Sequence, residues 1–189
     1  MPQRFAAAYE NGRLGHAIPG DYGLSPADEG SLKNSATGGN ELHDPLWVWG
    51  EGGDRPRMLH SMVRVRDVDA SLRFYCDGLG MSVLDRYDIE AGRFSLLFLS
   101  YAGYRDGEAA LELTYNWDQA ADYTHGSGYG HIAIGAPDVK AVYERLADFG
   151  GVQVTPPKAM MAGGPELAFV KDPDGYSIEL IQIRRPVAR

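Results

Sequence analysis

From Met58 onward the chain reads as short apolar stretches of strand length separated by helical periodicity, and the same order of stretches occurs twice. Residues 58 to 65 and 129 to 135 alternate apolar and polar positions or run apolar with β-branched side chains, which predicts a strand in each place. Each is followed by a helical pattern that begins near an aspartate and ends at or just before a glycine, from about Asp67 to Gly78 and from about Asp138 to Phe149. Three further strands are expected near 82 to 88, 93 to 101 and 109 to 116, and again near 152 to 155, 166 to 171 and 176 to 183. Asp172-Pro173-Asp174-Gly175 supplies the tight turn of the last hairpin.

The two halves are related residue by residue. His60 precedes Asp67 and Val68 as His131 precedes Asp138 and Val139, at an offset of 71 that continues through Ala70 and Ala141, Asp77 and Asp148, Gly80 and Gly151, and Phe98 and Phe169. The Glu-Leu pairs near the end of each half, Glu112-Leu113 and Glu179-Leu180, stand 67 apart, because the preceding hairpin is four residues shorter in the second copy. The fold expected is therefore α+β, two tandem βαβββ modules. Module one covers 58–117, a linker 118–127 and module two 128–185. Residues 1–57 are crowded with Gly, Pro, Asn, Asp and Ser and lack either periodicity, so they read as an irregular extension whose one apolar knot is Leu46, Trp47, Val48 and Trp49.

Composition narrows the function classes. A formal charge of −8 with scattered Lys and Arg argues against nucleic acid as a partner, because phosphate binding needs a basic face. The single cysteine, Cys76, can close no intrachain disulfide and is expected to pack in a helix. No run of about eighteen apolar residues suggests a membrane span, and no charged-then-apolar start suggests a signal peptide, so a cytoplasmic protein is expected.

A strand carries residues i, i+2 and i+4 on one face. In the first strand that face holds His60, Met62 and Arg64, and in the last strand of module one it holds Glu112, Thr114 and Asn116. Glu179 lies between Ile178 and Leu180, so it too is a carboxylate set into an apolar strand. Burying a carboxylate costs on the order of several kcal/mol unless a cation or strong hydrogen bonds offset it. A lone histidine or glutamate in a strand reads as a core or edge residue. Two of each at matched repeat positions suggest a shared cation held by His60, Glu112, His131 and Glu179, with Zn²⁺, Ni²⁺, Co²⁺ or Mn²⁺ suited to that donor set. His16, His43 and His125 have no such partners.

With these residues in view the chain resembles the glyoxalase I (lactoylglutathione lyase) family of the vicinal oxygen chelate superfamily. The resemblance covers about 58 to 183 and rests on Met58-Leu59-His60 with Arg64, on Phe74-Tyr75 and Leu79-Gly80-Met81, and on Glu112-Leu113-Thr114-Tyr115-Asn116-Trp117. It continues through Tyr129-Gly130-His131-Ile132-Ala133, Ala168-Phe169-Val170 and Asp172-Pro173-Asp174-Gly175-Tyr176 to Glu179-Leu180-Ile181. The Glu-Leu-Thr-Tyr-Asn-Trp run is its most specific part.

The resemblance implies His60, Glu112, His131 and Glu179 as metal ligands, in a homodimer whose sites pair the first module of one chain with the second module of the other. It implies a substrate, the hemithioacetal of methylglyoxal and glutathione, and a product, S-lactoylglutathione. Arg64 and Asn116 map onto the anchors for the γ-glutamyl end of glutathione. Each lies four residues after a proposed ligand, roughly 13 Å along its strand, while the matching positions of module two are Gly135 and Ile183. Glu179 is implied as the base that moves the proton, with Glu112 the steadier ligand and the residue acting on the opposite enantiomer. The short step from Glu112 to His131 resembles the compact branch, which implies Ni²⁺ or Co²⁺ as the preferred metal, with Zn²⁺ possible. Two features depart from the pattern: Ser127 stands where the eukaryotic branch has arginine, and Ala162-Gly163-Gly164-Pro165 lacks the usual lysine, with Lys158 a candidate replacement that the sequence does not establish, so another small thiol stays open. Rival activities in the superfamily are an extradiol dioxygenase, a thiol transferase, an acyl-CoA epimerase and a metal-free drug-binding module.

Overall fold

The computed structural model describes residues 58–101 and 108–183. The extension expected at 1–57 and the last residues of the expected second module lie outside the described residues. The chain divides into two units that cut across the repeat. The first runs up to Arg66 and resumes over Gly80–Gln119, and the second comprises Asp67–Leu79 together with Ala120 onward.

In the first unit β1 (His60–Val65), β2 (Ser82–Ile89), β3 (Phe94–Ser100) and β4 (Ala110–Asn116) form one sheet in the order β1-β4-β3-β2. β1 lies parallel to β4, and the other neighbours are antiparallel. The alternation read from the sequence is obeyed in β1, where Val63 and Val65 are buried while Met62 and Arg64 are exposed. β4 is covered on both faces through Thr114, which explains its nearly continuous apolar run. Beyond its end the Arg93 guanidinium binds both oxygens of Asp118 at 2.9 and 2.7 Å and lies 5.1 Å from the centroid of the Trp117 ring.

The second unit repeats the order with β5 (Ile132–Ala136), β6 (Val152–Ala159), β7 (Glu166–Lys171) and β8 (Ser177–Gln182) arranged β5-β8-β7-β6. It also contains both α-helices among the described residues, α1 (Val68–Leu72) and α2 (Val139–Leu146). The aspartates expected to start them do so. Asp67 accepts from the N–H of Ala70 at 3.0 Å and Asp138 from that of Ala141 at 2.9 Å, an N-cap that stabilises a helix by about 1 kcal/mol. The helical segments meet closely: a Cβ added to Gly78 would lie 2.8 Å from Leu146 Cδ2, and Arg73 donates to the Asp148 carbonyl at 3.0 Å. No helix among the described residues is long and apolar enough to cross a membrane.

Three boundaries differ most from the sequence reading. After Leu72 the first helix widens into π-helical turns over Arg73–Gly78, with Leu79 N–H donating to the Phe74 carbonyl at 2.9 Å. More residues per turn mean that consecutive side chains diverge less around the axis, and here Phe74, Tyr75 and Cys76 are buried in succession. β5 begins at Ile132 rather than 129, so His131 stands just before the first paired residue. β6 continues to Ala159 despite Pro156 and Pro157, because it is the outermost strand and needs no donors on its free side. Register shifts between Gln153 and Thr155 and between Thr155 and Lys158 absorb the proline pair.

Candidate metal centre

Each unit brings one histidine and one glutamate together. In the first, Glu112 on β4 is the Cα partner of Met62, two residues beyond His60, and its Oε2 lies 3.0 Å from His60 Nε2. In the second, Glu179 on β8 is the Cα partner of Ala133, again two residues beyond the histidine, and its Oε2 lies 3.1 Å from His131 Nε2. The carboxylates are well covered, at 12% and 14% side-chain exposure, and the imidazoles are more open, at 32% and 44%. Neighbouring side chains repeat too. Phe98 is the cross-strand partner of Glu112 and packs edge-on against His60 with ring centroids 5.6 Å apart, while Phe169 is the partner of Glu179 and packs edge-on against His131 at the same separation.

These pairs fit a metal by the chemistry and spacing of their donors. Imidazole nitrogen and carboxylate oxygen bind a divalent first-row ion at about 2.0 to 2.2 Å, so two such donors at right angles stand about 3 Å apart. Among the described residues the structure gathers no cluster of three or more His, Cys, Asp and Glu side chains. The four sequence-derived ligands are thus joined as two pairs, His60 with Glu112 and His131 with Glu179.

The units differ around these pairs. Thr114, two residues beyond Glu112 on the same strand face, donates from its Oγ1 to Glu112 Oε1 at 2.9 Å. Arg64 is exposed near the end of β1 and Asn116 half-buried at the end of β4. At the matching positions of the second unit stand Gly135 and Ile183, with Ile183 Cγ2 2.7 Å from where a Cβ on Gly135 would lie, so neither position carries a polar side chain. His125, left outside the site by the sequence reading, stacks on Tyr176 with centroids 4.1 Å apart, in a cluster with Tyr129. Sequence reasoning passed over the Thr114 hydroxyl, although its i+2 spacing from Glu112 was a signal, and the contacts of Phe98 and Phe169 with the histidines, although their offset of 71 was visible.

Residues 57–180 match the family model described as the Glyoxalase/Bleomycin resistance protein/Dioxygenase superfamily. The chain belongs to that superfamily. Among its relatives is a probable lactoylglutathione lyase of Synechocystis, 47% identical over 125 residues that make up 66% of this chain and 94% of the relative. Two solved glyoxalase I structures share the fold. The enzyme of Zea mays has a TM-score of 0.63 at 36% identity, covering 68% of this chain and 45% of the maize chain. The trypanothione-dependent glyoxalase I of Leishmania major has a TM-score of 0.58 at 41% identity, covering 68% of this chain and 87% of its own. This superfamily chain therefore spans nearly all of the bacterial relative but under half of the plant one.

Proposed function

We propose that the chain is a lactoylglutathione lyase, which isomerises the hemithioacetal of methylglyoxal and glutathione to S-lactoylglutathione. One observation carries the reading: in a chain 47% identical over 125 residues to a probable lactoylglutathione lyase, two His–Glu pairs recur at matched positions with donor atoms 3.0 and 3.1 Å apart. By this reading His60, Glu112, His131 and Glu179 hold one divalent metal, with Ni²⁺ or Co²⁺ preferred over Zn²⁺. The working form is a homodimer, in which the first module of one copy meets the second module of the other. Support comes from the count of donors, since a pair offers two ligands and ions of this kind take at least four.

When bound, the metal supplies Lewis acidity that stabilises negative charge on the substrate oxygens. The protein's own groups do the rest. Glu179, as its carboxylate, takes the proton from C1 of the hemithioacetal and returns it to C2, a base and acid in turn. The C1–H bond and the O–H bond of the C1 hydroxyl break while a C2–H bond and an O–H bond at the C2 oxygen form, so the two protons are redistributed within one molecule and the reaction consumes no redox cofactor. Arg64 and Asn116 hold the γ-glutamyl end of the thiol at one end of the site. The apolar Gly135 and Ile183 give the second unit no equivalent grip, which fixes the direction in which substrate lies.

The test is to strip the protein with a strong chelator, refill it with Ni²⁺, Co²⁺ or Zn²⁺, and follow lactoyl-thioester formation with glutathione and, separately, trypanothione. Chelation should abolish turnover while far-ultraviolet circular dichroism persists, since each sheet keeps its own apolar residues. Ni²⁺ or Co²⁺ should restore most activity. Full turnover in the stripped protein would show that the four residues do not form a metal site.

A further inference from the structure

The two carboxylates of the proposed centre match in sequence position, in cross-strand phenylalanine and in distance to their histidines, yet they differ in one contact. Glu112 has both oxygens engaged, Oε2 toward His60 at 3.0 Å and Oε1 by the Thr114 hydroxyl at 2.9 Å. Thr114 is itself buried and β-branched, so its hydroxyl is held in few orientations and water does not readily replace it. The residue two positions beyond Glu179 is Ile181, which can donate nothing. Swinging Glu112 away from His60 would break the threonine bond as well, whereas Glu179 meets no such restraint from Ile181.

We infer that Thr114 is a positioning residue that fixes Glu112 as the permanent carboxylate ligand, and that isoleucine at position 181 leaves Glu179 the carboxylate able to move. The inference rests on the proposed metal-dependent reading of the site. Hydrogen bonds to a ligand carboxylate set its orientation and the affinity for metal, and a base that must leave the metal to take a proton works only if it is not held there. One hydroxyl at one of two matched positions would thus divide the labour between residues that the repeat makes equal.

The test uses the full chain with three substitutions, Thr114→Val, Thr114→Ser and Ile181→Thr, and two measurements, Ni²⁺ affinity by chelator competition and kcat at saturating metal. Thr114→Val keeps the shape and removes the hydroxyl, and should weaken Ni²⁺ binding about tenfold, the lower end of what loss of an outer hydrogen bond costs a metal site. Thr114→Ser should restore affinity to near wild type, which a defect of packing would not allow. Ile181→Thr should bind Ni²⁺ at least as tightly as wild type yet lose about tenfold in kcat, within the range by which such outer contacts change activity. Unchanged affinity in Thr114→Val, failure of Thr114→Ser to rescue it, or full kcat in Ile181→Thr overturns the inference. If wild type itself holds no stoichiometric Ni²⁺, the underlying metal reading fails. If wild type holds it and Thr114→Val holds it equally well, only the tether fails.

Discussion

At the scale of residues, Glu112 and Glu179 are the pair whose roles most need separating. Glu179→Gln should lose at least about a hundredfold in kcat, the lower end of what a positioned base contributes, while its amide oxygen still binds some metal. Glu112→Gln should lose less when both are compared at equal metal occupancy, determined on the same samples. Equal losses that merely follow metal content would make both glutamates ligands and nothing more. Arg64→Ala and Asn116→Ala should each weaken kcat/KM for the thiol hemithioacetal by about 1 to 3 kcal/mol, the cost of a lost hydrogen bond to a charged or buried group, with metal content unchanged. Reduced metal in either variant would mark the side chain as a structural support. The four candidate residues stood out in the sequence because a carboxylate amid apolar strand residues is conspicuous, and a second at the matching place makes chance a poor account, but the sequence did not show that they gather as His60 with Glu112 and His131 with Glu179. The hydrogen bond from Thr114 was not, since a threonine on a strand face is ordinary and only coordinates reveal where its hydroxyl points.

At the scale of elements, the Asp172-Pro173-Asp174-Gly175 turn is more than a connector between β7 and β8. Asp172 is buried, and accepts hydrogen bonds from the N–H groups of Asp174 at 3.1 Å and Tyr176 at 2.8 Å and from the Tyr75 hydroxyl at 2.8 Å. It therefore ties the widened helical segment to the hairpin. Burial lifts its carboxyl from the ordinary 3.8 to about 6, with the Asp174 charge adding to the rise, although the Tyr75 and backbone hydrogen bonds pull the other way. Between these values the folded chain keeps a proton that the unfolded chain has released. The residue's contribution to stability is thus greatest below about pH 4 and falls as pH rises to about 6, by about 3 kcal/mol in all. Asp172→Asn keeps the acceptor for the two N–H groups without the charge. Its stability relative to wild type should improve by about that amount across the window, measured by thermal unfolding from pH 4 to 7. A constant difference between the two proteins would show that Asp172 ionises as an exposed carboxylate does. The turn itself was readable from Pro and Gly spacing, but its bond to Tyr75 spans 97 residues and no local pattern announces it. The same holds for the π-helical stretch, where periodicity at 3.6 predicted an ordinary helix and the segment instead widens with Phe74, Tyr75 and Cys76 buried in succession.

At the scale of the whole molecule, every strand among the described residues lies between His60 and Gln182, and the break in composition falls just before that range. A protein beginning at Met58 should fold, dimerise and keep metal and activity, as judged by size-exclusion chromatography, metal analysis and the thioester assay. An insoluble or monomeric product would instead make Trp47 and Trp49 part of the core or of the contact between copies. The repeat in the sequence gave the order of elements correctly, yet it did not foretell that the helical segment of the first copy would group with the second unit, because pattern fixes which elements form and side-chain packing decides what they join. That widened segment also contains Cys76, the chain's only cysteine, buried and with its thiol pushed up to about 12 by loss of solvation and by the neighbouring Asp77 charge. At neutral pH only on the order of one molecule in 100,000 carries the thiolate, and the thiolate is the form that attacks carbonyl carbon. An enzyme of the proposed kind works surrounded by a reactive dicarbonyl that adds to free thiols, and this chain keeps its one such group both hidden and protonated, armoured against poisoning by its own feedstock.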